Sequence, residues 1–379
     1  MILADLDREL AALISAAVVD GALPPAAAGI APGRTWRRAP DQNPASFATS
    51  IAFDLAAATG RPPARLAASL ARPLRRLPWV AAAEPARDGY LTITVTARAL
   101  GRAAARLAAG GPATAAGTTL AGTVTVVPPW PDPAAAPTWR HAWQAHATAM
   151  TSRLAQAAGA QVAATTKVNG ERGKPGADAT ATSRQLAGGS GPAGSGSARA
   201  DAVAPRDMAV ADAVAWFGAP AVRYGLARTS PGRVSELGRV LLRPGASGPD
   251  PLYPVGQAHA SADSALRWAA DLHLQPGDPA EWLGSPAEQA LLGLLPWLPV
   301  RVAAAAARDR PDELPFFLEA VSDAWLAVRL AAPALPFGGR AASADPAVAA
   351  ARLTLADAVR AVLACGLRLS GAGLCKGHD

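Results

Sequence analysis

The stretch DPLYPVGQAHASADSALRWA, residues 250–269, opens the last helical part of the chain. From Ala209 onward the sequence reads as almost wholly helical. Alanine dominates, and aromatics make up only 5% of the 379 residues. Alanine is the strongest helix former, so long helices are the default expectation. Tyr253, Gln257 and His259 stand in the first turns of the helix that the quoted stretch begins. Trp282, Trp297 and Trp325, further on, read as core side chains.

Toward the N-terminus the pattern breaks. Residues 169–204 include GGSGPAGSGSA and carry almost no apolar periodicity, which is the composition of a flexible tether. They lack the GxxxxGK[ST] spacing of a phosphate loop. Ahead of them lie a strand at 122–128, a Pro-rich loop, a helix over 141–158 and a possible strand at 160–166. That order is a β-loop-α-β unit, as at the start of a nucleotide-binding sheet. Residues 106–119 are rich in Ala, Gly and Thr and read as a linker.

The first hundred residues read as a small α+β module. Helices are expected over 1–20, 46–59 and 63–77, and a strand over 89–96. Leu66, Leu70, Leu74 and Leu77 share one face of the third helix. Arg65, Arg72, Arg75 and Arg76 ride on the same helix with no acid among them. Such a basic stripe is either a solvated face or a phosphate contact.

Bulk properties narrow the classes. Half the residues are apolar, so a sizeable core can be buried. The formal net charge of +7 attracts phosphate backbones largely without regard to sequence. Cys365 and Cys375 have no metal-ligand spacing and imply no disulfide framework, and Cys365 reads as a core thiol. His141 and His146 are five residues apart, not the i, i+4 spacing that favours a metal, so no metal is expected. MILADLDREL, with Asp5, Asp7, Arg8 and Glu9, does not read as a signal peptide. No segment reads as membrane-spanning, and a soluble cytoplasmic protein is the expectation.

The quoted stretch resembles the start of the anticodon-binding (DALR-type) domain of arginyl-tRNA synthetases. That family has Asn-Pro-Val-Tyr-Tyr-Val-Gln-Tyr-Ala-His-Ala-Arg there, and Pro251, Tyr253, Val255, Ala258, His259 and Ala260 match. Asp250, Pro254, Gly256, Gln257 and Ser261 depart from it. ALLGLLPWLPVRVAAAA and residues 351–371 fit the rest of that domain. Ala221, Val222, Arg223 and Tyr224 match the family's Asp-Ala-Val-Arg-Tyr-Phe segment. ASFATSIAFDLAAATGRPPARLAASL and GYLTI (89–93) resemble the family's N-terminal tRNA-binding module.

The middle differs most. VVPPWPDPAAAPTWRHAW, residues 126–143, lies over the family's Ser-Pro-Asn-Pro and His-x-Gly-His segment. Pro131, Pro133 and His141 survive, while the first motif His becomes Thr138 and the Gly becomes Arg140. In the family the Gly lets a nucleotide approach the helix start, and the two histidines stabilise charge at the α-phosphate. The later sheet strands and the Lys-Met-Ser-Lys loop have no counterpart here, only the tether.

The resemblance implies a mostly α protein with small α+β parts. An N-terminal tRNA-binding-like α+β module (1–105) would precede a degenerate Rossmann-like β-α-β remnant (120–168). The tether (169–204) and a helical connector (205–249) would lead to an anticodon-binding helical bundle (250–379). Expected RNA contacts are Arg65, Arg72, Arg76, Tyr253, Gln257 and His259, with His141 as a catalytic relic. The implied partner is tRNA, possibly arginine isoacceptors, with no DNA and no membrane, and with room for a protein partner. No cofactor is implied, and ATP enters only if the remnant site works. Two other readings stay open: residual or partner-dependent arginine–tRNA ligation, and a helical protein-interaction module.

Overall fold

The computed structural model describes residues 2–30, 32, 35–39, 43–86, 88–111, 114–163, 208–236, 252–279, 282–335 and 345–373. The tether at 169–204 and Cys375 lie outside these residues, as do Lys167 to Gly170. The protein is mostly helical with a small antiparallel sheet.

Helix α1 (Ile2–Val19) buries Leu3, Leu6, Leu10 and Ile14, a repeat of three to four that puts them on one face. The sheet follows, ordered β1-β2-β4-β3 with every pair antiparallel: β1 (Trp36–Arg38), β2 (Ser46–Thr49), β3 (Val80–Pro85) and β4 (Leu91–Val95). The expected helix over 46–59 is corrected here. Its first four residues are strand, and only Ile51–Thr59 is helix α2. Pairing decides the matter: Phe47 lies opposite Ile93, and Ser46 shares a 2.9 Å hydroxyl bond with Thr94. Tertiary partners outweigh the weak helical preference of so short a segment.

Helix α3 (Pro63–Leu74) starts on a proline, which suits a first turn that has no use for its N–H. It stops three residues short of the expected end: Pro73 has no N–H to donate, and beyond it Arg76 and Leu77 turn back more tightly onto the Pro73 and Leu74 carbonyls. The strand expected at 89–96 shortens to Leu91–Val95. The linker expected at 106–119 is corrected in part. Helix α4 (Ala97–Gly110), capped by Thr96, continues through Arg106 and buries Leu107.

In the middle, β5 (Val124–Thr125) and β6 (Gln161–Val162) pair in parallel across helix α5 (Trp139–Ala157). The expected β-loop-α-β order is present, with strands of two residues each. The later helices are α6 (Val210–Phe217), α7 (Ala219–Arg228), α8 (Tyr253–Asp271), α9 (Pro286–Leu294), α10 (Leu298–Ala307), α11 (Glu313–Ala331) and α12 (Pro346–Leu369). Trp297 and Trp325 are core, each 3% exposed, but Trp282 is not, at 44%. Cys365 is buried as expected.

Within residues 286–307, across α9 and α10, an 18-residue window has a mean hydropathy of 1.6, long and apolar enough to span a membrane by composition alone. A short 3₁₀ turn at Leu295–Trp297 interrupts the run, and Leu291, Leu292, Leu298 and Val302 are buried in the core. Core burial accounts for its apolarity.

Helix α12 packs against both α4 and α8, so side chains of the N-terminal sheet and of the C-terminal bundle share one hydrophobic core. At the start of α9, Ser285 and Glu288 form a reciprocal capping box. The same Glu288 is 1% exposed and holds Arg352 of α12 at 2.7 Å. Gly293 of α9 rests against the main chain of Pro44, where any Cβ would collide with the Pro44 carbonyl. Replacing Gly293 with Ala is therefore expected to destabilise the protein by about 1–3 kcal/mol through forced backbone displacement. Denaturant unfolding of the variant checks this, and unchanged stability would show that the seam is loose.

Candidate nucleic-acid interface

The expected RNA contacts fall into two groups on different elements. Arg65 and Arg72 lie two turns apart on α3, and Arg76 follows in the turn beyond it. All three are exposed, while Leu66, Leu70 and Leu74 bury the opposite side. None of the three guanidinium groups bonds another described residue. Arg75 differs: its Nε donates to the Ala83 carbonyl at 2.7 Å and ties α3 to β3.

The second group is on α8, which packs on α12 and α11 rather than on α3. Tyr253 is 56% exposed, and Gln257, one turn on, is exposed beside it. His259 is not brought to that face. Two residues on from Gln257 it turns about the helix and is half-buried, close to Asp263 and to Arg360 of α12. Burial holds its pKa below the ordinary histidine value. The Asp263 charge opposes this, and the Arg360 charge adds to it. Ser261 accepts a 2.8 Å bond from Trp325 Nε1, so it serves packing between α8 and α11.

The third region is the start of α5. Thr138 caps the helix, its hydroxyl accepting from the His141 main chain and lying 2.8 Å from His141 Nδ1. His141 and Arg140 are exposed. Trp139 and Trp143 donate through Nε1 to the carbonyls of Met208 and Thr229, clamping α5 to the segment that carries α6 and α7. Arg228 of α7 forks onto Glu319 at 2.6 and 3.2 Å, and Tyr224 donates to the Pro315 carbonyl at 3.3 Å. Arg223 reaches the Pro131 carbonyl through Nη2 at 3.3 Å. The surviving Ala221–Tyr224 residues thus hold the proline loop and α11 in place.

No cluster of three or more potential metal ligands occurs among the described residues. Sequence reasoning passed over three arginines that the fold gathers along one groove: Arg38 of β1, Arg301 of α10 and Arg308, which caps the C-terminal end of α10. The seven-residue spacing of Arg301 and Arg308 marks a helix face. Nothing local connects it to residues 37 and 38.

The comparison with characterised proteins bears on these groups. Arginine–tRNA ligase from Micrococcus luteus is 34% identical to this chain over 163 residues. That similarity supports a distant relationship to arginine–tRNA ligase. The alignment takes in 42% of this chain and 29% of the relative, so the chain spans under a third of the length of the ligase it matches. No protein-family model matches the chain.

His146 of α5 is the most perturbed base in this region. It is 1% exposed, stacks on Trp130 with ring centres 5.1 Å apart, and neither ring nitrogen has a hydrogen-bond partner among the described residues. Burial pushes its pKa from 6.5 down to about 3. The Arg223 charge adds to this, the Ser370 main chain opposes it, and the Arg153 charge adds a smaller push down. The folded state keeps the ring neutral, while the unfolded chain takes up a proton below about pH 6.5. Stability is therefore unaffected by this group above pH 6.5 and is lost as pH falls from there toward 3. The His146→Phe variant is expected to lose less stability than the wild type between pH 7 and 4.5 in denaturant unfolding. Equal losses would assign the acid sensitivity to other groups.

Proposed function

We propose that this chain is a cytoplasmic tRNA-binding protein built from an arginine–tRNA ligase ancestor, and that it does not charge tRNA alone. The observation that carries the reading is the likeness to arginine–tRNA ligase, together with exposed, unpaired arginines on α3. Arg65, Arg72 and Arg76 would meet phosphates, and Tyr253 and Gln257 would meet unstacked bases. The segments before and after the tether would act as the N-terminal tRNA-binding module and the anticodon-binding bundle, with arginine isoacceptors as the preferred ligands. Thr138 and Arg140 stand where the synthetase pattern has His and Gly, which supports an inactive remnant with His141 as a helix-cap partner.

A second reading, a docking surface for another protein, draws on the exposed Trp216 and Trp268, which are 78% and 56% exposed. Partner-dependent ligation would show as arginine-dependent ATP–pyrophosphate exchange in the presence of tRNA.

Filter binding at moderate salt is expected to show a preference for tRNA over random RNA of equal length. Neutralising Arg65, Arg72 and Arg76 to Gln is expected to weaken binding about tenfold and to flatten its salt dependence. The exchange assay is expected to be blank. Equal affinity for random RNA would sink the tRNA reading, and measurable exchange would sink the inactive one.

A further inference from the structure

The strongest unassigned feature is the groove between edge strand β1 and helix α10, of about 700 Å³. Arg38 borders one side and Arg301 and Arg308 the other, with Thr119 nearby and Trp297 among its apolar lining; Arg37 also touches the groove, but its guanidinium lies over the Tyr90 ring, 4.3 Å from its centre. Arg37 and Arg38 are exposed. Arg301 is half-buried, and its guanidinium is 5.7 Å from the Trp297 ring centre. Burial is the main cause holding the Arg301 guanidinium below its ordinary pKa. Glu313 opposes this, and the positive charges of Arg38 and Arg308 add to it. The acid in reach, Glu313, is engaged by Arg308 at 3.1 Å.

The fold thus gathers like charges that repel one another beside an apolar floor. A bound anion would relieve that repulsion, and the apolar floor makes each attraction stronger than it would be in open water. Arg38 and the Arg301/Arg308 pair come from two chain segments more than 250 residues apart and meet because the sheet is seated on the bundle.

We propose that this groove seats the phosphodiester backbone of the bound RNA. Arg38 and Arg301 would be the principal phosphate contacts, with Arg308 extending the track. The inference rests on the tRNA-binding reading and locates a contact that neither the α3 face nor the α8 face supplies. A groove open on one side, with charge along its length, fits a continuous strand of phosphates better than a single small anion. The backbone is read without regard to base, so the groove would contribute affinity and registration rather than sequence choice.

The test uses the full chain with unmodified bulk tRNA, in fluorescence anisotropy between 50 and 200 mM salt. The Arg38→Gln/Arg301→Gln double variant is expected to bind about tenfold more weakly and to lower the salt slope by about 1–2. A control of equal charge loss, Arg140→Gln/Arg267→Gln, lies outside the groove and is expected to change binding less than twofold. Arg38→Gln alone, at an exposed position, is expected to cost about threefold and covers the case in which the Arg301 change disturbs folding. Equal losses in both double variants would overturn the groove and leave the tRNA reading intact. Absence of tRNA preference in the wild type would overturn the reading itself. Competition by poly-glutamate as effective as by RNA at equal charge would overturn the RNA assignment in favour of an acidic protein partner.

Discussion

Helix α12 is buried on nearly every side, and the rest of the molecule is arranged around that constraint. A helix with apolar residues round most of its circumference must be wrapped on most sides. Here α4 covers it from the N-terminal side and α8 from the C-terminal side, while α11 and α5 close part of what remains. Small side chains make the close approach possible. Ala351, Ala356, Ala358 and Ala361 are all buried, and Gly366 faces the Leu318 side chain so closely that a Cβ would overlap it. Interiors are close-packed, so these positions fix distance as well as contact.

The wrapping has an electrostatic counterpart. Arg352 leaves α12 to meet Glu288, and the same carboxylate caps the start of α9. One buried acid thus sets both where α9 begins and where it lies along α12. Breaking one partner of a buried pair leaves an uncompensated charge, which is why such a pair specifies geometry even where its net energy is small. α9 is in turn held against Pro44, in the loop between β1 and β2, and the β1–α10 groove exists as a consequence of that seating.

Much of this was legible from the residues. The Leu3, Leu6, Leu10 spacing gives α1, and the arginine stripe of α3 is exposed as read, with Leu66, Leu70 and Leu74 turned inward. The β-loop-α-β order around α5 is present, and every regular element from Ala209 on is a helix among the described residues. Other features were not legible. SFAT looked helical beside an alanine run, yet cross-strand partners made it a strand. VAAAEP and WRR are too short and too alanine-rich or charged to announce themselves as β3 and β1. His259 looked like a companion of Gln257, but two residues along a helix point to different faces.

The sequence by itself determined the kinds of element, the basic character of the surface and the likeness to arginine–tRNA ligase, because these rest on local periodicity, charge and residue identity. The tertiary structure decided which cations act together. Arg38 and Arg301 become neighbours because α12 must be covered and the sheet is one of its covers. No local pattern encodes that proximity, since it follows from how apolar faces far apart in the chain are buried against one another.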